Sequence, residues 1–190
     1  MRAWRRGQAG KASAVWPAFA PPVALSPGPL GVVQAADREI ARQTAVRARA
    51  VAEFAASRPA SADRAQGERG AMSAERWAAR PEVLRAVSEW ATPELAVALS
   101  LSQPAAQALL ERSLTLVGRL PGTLAALAAG ALHPGHLWCL LEHVAPIEQD
   151  GVRAEVEAGL LRWAAGRVIE PPRVQWRLGS AVSRVSRAAI

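Results

Sequence analysis

The segment 94–110 constrains the fold more than any other part of the chain. Its apolar residues recur at helical spacing on both sides of a break at Ser100 to Ser102, where Ser102 is a good N-cap and Pro104 suits a first helical turn. The residues expected to face inward are Leu95, Ala96 and Leu99 in the first arm and Ala105, Ala106, Leu109 and Leu110 in the second. Two short helices joined by a tight turn make a helix-turn-helix-like corner.

The composition favours an all-α fold. Alanine and leucine abound, runs of β-branched residues are scarce, and the chain has two Phe and no Tyr. Its 190 residues allow one domain with a real core, plus a tail. Residues 1–31 are rich in Pro, Gly, Ala and Ser. We therefore expect a disordered low-complexity tail over 1–31 and a single multi-helix domain over 32–190.

Hydrophobic periodicity and helix-breaking residues place the other helices. They are predicted at 32–57, around 81–90, from the corner to about Arg119, from Pro121 to Gly130, from Pro134 to about Ala145, from Asp150 to about Gly166, and from Pro171 onward. The apolar faces expected in the first two are Val33, Ala36, Ile40, Thr44, Val51 and Phe54, then Val83, Leu84, Val87 and Trp90. Residues 57–69 are predicted to be a polar linker.

The chain is strongly basic. Its formal net charge is +7, its isoelectric point is about 11.4, and Lys11 is the single lysine among 23 basic residues. This charge favours an anionic partner, either nucleic acid or an acidic protein surface. A GC-rich genome also produces arginine bias, so the charge alone does not decide between them.

An arginine stripe on the last predicted helix gives the clearest electrostatic signal. Arg173, Arg177, Arg184 and Arg187 fall within about 80° of one another at 100° per residue. The residues roughly opposite are Val174, Leu178, Ala181, Val182 and Val185. The stripe is predicted to contact DNA phosphates or an acidic partner. The alternative is the solvated face of a surface helix.

The second helix of the corner has an outward face that could contact DNA bases. The residues expected to point outward are Gln103, Gln107, Glu111, Arg112 and Thr115. Gln103, Gln107 and Arg112 are candidate DNA contacts. Glutamine can read adenine edges, Thr115 can contact phosphate, and Arg112 is the one positive charge nearby. The acidic Glu111 weakens this hypothesis, and many helical proteins use such a corner for packing alone.

No catalytic, metal or cofactor site is predicted. His136, Cys139 and His143 share a helix face at i, i+3 and i+7, but no second ligand pair accompanies them, and Cys139 lies among apolar residues. The sequence contains no Gly-rich phosphate loop and no Gly-x-Ser-x-Gly elbow. No small-molecule ligand is therefore expected. A single cysteine excludes an internal disulfide and favours a reducing, cytoplasmic location.

One uncharged stretch, 120–141, is about long enough to cross a bilayer. Pro121, Gly130, Pro134 and other breakers divide it into short pieces, so no membrane helix is expected. Residues 1–11 are basic, but no apolar segment typical of a signal peptide follows them.

Several motifs together resemble a known family. TPELAVALSLSQPAAQALL at 92–110 leads into RLPGTLAALAAGAL at 119–132, and His136, Glu142 and PRVQWRL at 172–178 follow. This pattern, over about 32–190, is similar to the actinobacterial "domain of unknown function 222" family, also called the 13E12 repeat family. Its members carry E-L-A-x-A-L-x-L-S-x-x-A-A and R-L-P-x-T-L-A-A-L-x-x-G.

The resemblance implies a helical region of the kind that precedes an HNH endonuclease module. His136 and Glu142 match recurrent positions of that family to which no catalytic role is attached. The chain has no asparagine, one cysteine and three histidines near its middle, so the nuclease module is predicted to be absent. The chain is expected to be a fragment, the product of a frameshifted gene or a natural stand-alone version.

Two functional hypotheses follow. The chain is either a non-catalytic DNA-binding or targeting module, or a protein-interaction scaffold without DNA contact. The first predicts steep salt dependence of DNA affinity. The second predicts an exposed apolar patch and a stable oligomer.

Overall fold

The computed structural model describes residues 24–164, and this part of the chain is helical, with no β-strand in it. The predicted all-α class is confirmed. The seven α-helices of residues 24–164 are α1 (Pro29–Ala56), α2 (Ala74–Ala78), α3 (Ala91–Ala98), α4 (Gln103–Arg119), α5 (Pro121–Ala128), α6 (Leu137–His143) and α7 (Asp150–Ala164). Three 3₁₀ turns, Ala60–Ala62, Glu82–Leu84 and Pro134–His136, lie between them. The predicted last helix lies outside the described residues.

Helices α1 and α4 form the centre of the fold and contribute to both of its hydrophobic clusters. In the first cluster Ala41, Ala45 and Ala48 of α1 pack with Leu116 of α4 and with α5, α6 and α7. In the second cluster the later turns of α1 pack with the early turns of α4, with α3 and with Leu84. The two helices therefore run antiparallel.

The buried stripe of α1 differs from the predicted one. The residues that are buried between its third turn and its end are Ala41, Ala45, Ala48, Val51 and Ala55. Val33 and Ile40 were expected to face inward, yet they are 56% and 55% exposed. The prediction was wrong because it assigned the larger apolar side chains of α1 to the buried face. Here the neighbouring helices pack against alanines, whose small side chains allow close approach.

The corner forms as predicted, with changes at its turn. Helices α3 and α4 are joined by residues 99–102, and the Ser102 hydroxyl accepts a hydrogen bond from the backbone N–H of Ala105 at 3.4 Å. Ser100 has a positive φ of 53°. Leu99 and Ala105, both expected to face inward, are exposed. The tight reversal turns them away from the core.

The uncharged stretch 120–141 is divided as its breakers predict. Pro121 lies at the start of α5, and Gly130 ends that segment with a φ of 68°. The chain then enters the turn Pro134–His136 before α6 begins. Within residues 24–164 no helix combines the length and the apolar character needed to cross a membrane.

Hydrogen bonds hold the region between α1 and α3 in place, although residues 57–69 within it were predicted to be a polar linker. The Ala60 N–H donates to the Ala86 carbonyl at 3.0 Å, and the Ser88 N–H donates to the Arg58 carbonyl at 2.8 Å. The Asp63 carboxylate accepts hydrogen bonds from the Ser88 hydroxyl and from a neighbouring backbone N–H. These contacts fasten the connecting segment to the body of the fold.

The prediction of a helix around residues 81–90 is wrong. Only the 3₁₀ turn Glu82–Leu84 forms there, and Trp90 is 62% exposed although it was expected to face inward. Leu84 and Val87 are buried as expected. The backbone is extended enough at Val87 to pair with Pro59 in an isolated β-bridge, which a continuous helix would prevent.

Two arginines hold the segment between α6 and α7. Arg119 donates to the carbonyls of Ala145 and Ile147 at 2.7 and 2.9 Å. Arg153, which is 6% exposed, donates to the carbonyls of Arg119 and Ile147 at 3.0 and 2.6 Å. The carbonyl groups at the end of α4 and between α6 and α7 have no partner within a helix, and these two arginine side chains donate hydrogen bonds to them.

Candidate nucleic-acid interface

The net positive charge of the chain lies outside residues 24–164, the described part, which we call the body. Residues 24–164 contain fourteen arginines and fifteen acidic residues, a net charge of −1. The other nine basic residues of the chain are Arg2, Arg5, Arg6, Lys11, Arg167, Arg173, Arg177, Arg184 and Arg187, and Glu170 is the one acid among the same residues. The two terminal segments, 1–23 and 165–190, therefore carry a net charge of +8.

The arginine stripe belongs to this basic part. Arg173, Arg177, Arg184 and Arg187 all lie outside the described residues, so their arrangement on one face stays a prediction. The described residues end at Ala164, which lines a small apolar cavity together with His136 and Cys139.

The three candidate contacts on the corner are on the surface. Gln103, Gln107 and Arg112 are exposed, as expected from their positions on α4. The Gln107 side-chain amide donates to a carboxylate oxygen of Glu111 at 2.8 Å. An adenine edge would have to compete with this bond, and Glu111 would repel the phosphates beside it.

The charges around the corner do not favour DNA. Between residues 94 and 118 the chain has two acids, Glu94 and Glu111, and the single basic residue Arg112. Glu94 is held by Arg58 through two hydrogen bonds of 2.9 and 2.7 Å. This guanidinium lowers the pKa of the Glu94 carboxyl below its usual value. The Arg58 guanidinium also lies over the Phe54 ring, 5.3 Å from its centroid.

The turn of the corner instead exposes apolar side chains. Val97 is 83% exposed, Leu99 46% and Leu101 39%. All three lie within five residues of one another at the end of α3 and in the turn. We call Val97, Leu99 and Leu101 the corner patch. An apolar surface of this kind contacts protein more favourably than phosphate.

The histidine and cysteine side chains near α6 do not form a metal site. His136 lies in the 3₁₀ turn that precedes α6 and lines one small cavity with Cys139, whereas His143 is not among the residues that line it. Cys139 is 2% exposed, and burial raises the pKa of its thiol to about 11. Burial, together with the neighbouring His133, lowers the pKa of His136. Among residues 24–164 no group of three His, Cys, Asp or Glu side chains is placed to hold a metal ion.

His143 and Glu142 take different positions on α6. The His143 ring packs edge-on against Trp138, and its buried Nε2 has no hydrogen-bond partner within the described residues. Glu142 is exposed. The two residues that match the resembled family, His136 and Glu142, therefore do not meet in a common cavity.

Sequence reasoning missed one polar cleft. It encloses about 360 Å³ and is lined by residues from 60 to 89, including Asp63, Trp77 and Arg80. Arg80 donates to the carbonyls of Val87 and Ser88, and burial lowers the pKa of its guanidinium. The polar groups of Asp63 and Arg80 are thus engaged in holding the chain together. No motif or spacing in the sequence signals this cleft.

Comparisons of the chain with protein-family models, curated proteins and solved structures gave no match.

Proposed function

We propose that this chain is a non-catalytic nucleic-acid-binding module of the type suggested by its resemblance to the "domain of unknown function 222" family. It binds DNA phosphates through its basic terminal segments, chiefly through Arg173, Arg177, Arg184 and Arg187. The observation that carries the proposal is the separation of charge between a body of net charge −1 and terminal segments of net charge +8.

Charge separation supports the proposal more strongly than total charge does. An arginine bias that came from base composition alone would leave the whole chain basic. Here the body balances fourteen arginines with fifteen acids, while the 26 residues after Ala164 hold five arginines and one acid. A dense cluster of one charge attracts a polyanion and releases its counterions on binding.

The corner contributes less to this function. Its surface carries more acid than base, and Gln107 is bonded to Glu111. We expect Gln103, Gln107 and Arg112 to add little to the affinity for DNA.

The proposal is tested by fluorescence anisotropy of a labelled duplex with the full chain over a series of salt concentrations. The quadruple variant R173A/R177A/R184A/R187A removes the stripe. Four arginines exposed on the body provide the matched control R47A/R49A/R69A/R76A. Both variants lose four positive charges, so total charge does not distinguish them.

We expect the logarithm of the affinity to fall with the logarithm of salt concentration with a slope of roughly −3.6 for four phosphate contacts. The stripe variant should lose most of the affinity and of this slope, and the body variant should keep both. Equal affinity of the stripe variant and the parent would refute the proposal.

The corner patch favours a second candidate function, a protein-interaction scaffold. Val97 is 83% exposed in a well-formed helix, where a polar residue would serve solubility better. The variant V97S/L101S should abolish any homo-oligomer or bound partner detected by light scattering, with DNA affinity unchanged. A parent chain that is monomeric and binds no partner would argue against a scaffold.

A further inference from the structure

The polar cleft between residues 60 and 89 has an apolar side that is separate from the core. Ala60, Met72 and Trp77 line the cleft, and none of the three belongs to the two hydrophobic clusters of the described residues. Helix α2, which carries Trp77, buries none of its residues. Packing within the body therefore leaves the largest side chain of α2 39% exposed, in a cleft of about 360 Å³.

A cation covers one face of Trp77. The Arg85 guanidinium lies over the indole ring, 5.4 Å from its centroid, and Arg85 is not among the described residues that line the cleft. The surface that Trp77 gives to the cleft is therefore the opposite face of the ring or one of its edges. A planar aromatic ligand stacks on an indole face that is free in this way.

Two charged side chains of the cleft hold its walls in place. Both carboxylate oxygens of Asp63 accept hydrogen bonds, one from the Ser88 hydroxyl and one from the Glu89 N–H. Arg80 donates to the carbonyls of Val87 and Ser88. A ligand thus meets walls whose geometry is set before it binds, which lowers the entropic cost of binding.

Three other polar groups of the cleft have no hydrogen-bond partner within residues 24–164. They are the Glu89 carboxylate, the Gln66 side-chain amide and the Trp77 indole N–H. Arg64 is exposed and donates one N–H to the Arg69 carbonyl at 2.8 Å. The cleft therefore offers a ligand a carboxylate, which only accepts hydrogen bonds, together with an amide that both donates and accepts.

The charges that line the cleft balance. Two acids, Asp63 and Glu89, stand against two bases, Arg64 and Arg80, so their formal net charge is zero. A small anion or cation would lose hydration there without a net attraction to replace it. An uncharged planar ligand loses less, because its ring stacks on Trp77 and its N–H groups reach the free carboxylate. The volume lies in the lower part of the range of about 300–1,000 Å³ that small-molecule sites occupy.

We propose that the polar cleft binds a guanine base, which stacks on Trp77 and donates its N1–H and its exocyclic amino group to the Glu89 carboxylate. Guanine is the base whose Watson–Crick edge presents two adjacent donors, and these match the two oxygens of a carboxylate. Adenine presents one donor group beside an acceptor on the same edge. The site is independent of the DNA contacts proposed for the terminal segments, because every residue that lines it lies within the body.

The test is equilibrium dialysis of the full chain against labelled guanosine, inosine and adenosine, which carry no phosphate. The variants W77A and E89Q remove the stacking surface and the anionic acceptor. The matched controls are W90A and E82Q, which change an exposed tryptophan and an exposed glutamate outside the cleft. Circular dichroism reports whether each variant folds, and W77F keeps an aromatic ring at the site.

We expect guanosine to bind the parent chain with a dissociation constant on the order of 10–100 µM. W77A and E89Q should each weaken this binding at least tenfold, whereas W90A and E82Q should change it less than about twofold. W77F should keep most of the affinity. Inosine, which lacks the amino group, and adenosine should bind about tenfold more weakly than guanosine.

Two further comparisons identify where the base comes from. Guanosine monophosphate that binds more tightly than guanosine indicates a free nucleotide. A single-stranded thymine oligonucleotide with one guanine that binds more tightly than the all-thymine strand indicates an unpaired base of a nucleic acid. E89Q should remove the difference between the two strands, while the affinity for the all-thymine strand reports the phosphate contacts of the terminal segments alone.

Three results would overturn the guanine site. The first is the absence of guanosine binding at about 1 mM nucleoside, and the second is equal affinity for guanosine and adenosine. The third is guanosine binding that W77A and E89Q leave unchanged, which would place the ligand elsewhere on the chain. None of the three depends on whether the terminal segments bind DNA.

Discussion

Glu157 of α7 caps the start of α5 from across the core. One of its carboxylate oxygens accepts hydrogen bonds from the backbone N–H and the hydroxyl of Thr123 at 2.6 and 2.7 Å. Leu120, the residue before α5, gives no side-chain cap of its own. Glu157 is 0% exposed, and its Oε2 has no hydrogen-bond partner within the described residues. A tertiary contact therefore satisfies helix donors that local sequence leaves open.

Replacing Glu157 by alanine should destabilise the fold. Glu157→Ala leaves two buried donors of Thr123 without an acceptor and opens a cavity, which together should cost about 3 kcal/mol of unfolding free energy. Glu157→Gln keeps an acceptor oxygen and should cost less. Urea denaturation measures both, with Glu155→Ala on the exposed side of the same helix as control. Equal losses for Glu157→Ala and Glu155→Ala would contradict the capping role.

The same carboxyl should make stability depend on pH. Burial raises the pKa of Glu157 above its usual value of 4.5, although the hydrogen bonds from Thr123 and the charge of Arg153 oppose the shift. The folded protein thus keeps this proton to a higher pH than the unfolded chain. The stabilisation is complete below pH 4.5 and is lost as the pH rises through the folded pKa.

Urea denaturation of the parent and of Glu157→Gln across this range isolates the contribution. The stability of the parent relative to Glu157→Gln should decline as the pH rises. A difference that stays constant with pH would show that Glu157 does not titrate differently in the two states.

Removing Arg153 should loosen the segment between α6 and α7. Arg153→Met deprives the carbonyls of Arg119 and Ile147 of a buried charged donor, and the expected loss is about 2–4 kcal/mol. The matched control Arg162→Met removes an exposed arginine from the same helix and should change stability by less than about 0.5 kcal/mol. Hydrogen exchange should become faster in residues 145–150 for Arg153→Met alone. Similar losses in both variants would show that the buried contacts are not the cause.

Replacing either of two glycines by alanine should change the unfolding free energy, but in opposite directions. Gly130 has a φ of 68°, and an added Cβ would meet the Arg38 carbonyl oxygen at 3.3 Å. Gly130→Ala should therefore lower the unfolding free energy by about 1–2 kcal/mol. Gly118 lies inside α4 with open space around it, so Gly118→Ala should raise the free energy by about 0.5–1 kcal/mol. Thermal denaturation distinguishes the two, and a stabilising Gly130→Ala would contradict the geometry.

The sequence predicts local features of this fold better than tertiary ones. Ser102, Pro121 and Gly130 act within one or two turns of their own helix, so they could be placed from neighbouring residues alone. The exposure of Ile40 and Trp90 could not, because it depends on which helices pack against them.

The candidate contacts show the same limit. Helical spacing placed Gln107 on the surface correctly, but it did not reveal that the Gln107 amide bonds Glu111. The partnership of Glu157 with Thr123 joins residues 34 positions apart, and no spacing rule links them.

Cys139 should react only when the fold opens. It is 2% exposed in the first core cluster, and burial, with the nearby charge of Glu142, raises the pKa of its thiol to about 11 from an ordinary 9.0. Near pH 8 this shift alone lowers the thiolate population about a hundredfold, and burial slows attack further. Labelling with a chromogenic disulfide reagent should thus be slow in buffer and fast in urea.

Because Cys139 is the one cysteine in the chain, the labelling rate reports on this site without ambiguity. Glu157→Ala should accelerate labelling in buffer, since Cys139 and the helices joined by Glu157 belong to the same cluster. Glu155→Ala should leave the rate unchanged. Rapid labelling of the parent with its full unfolding free energy intact would place the thiol at the surface and contradict the packing of α6 against α7.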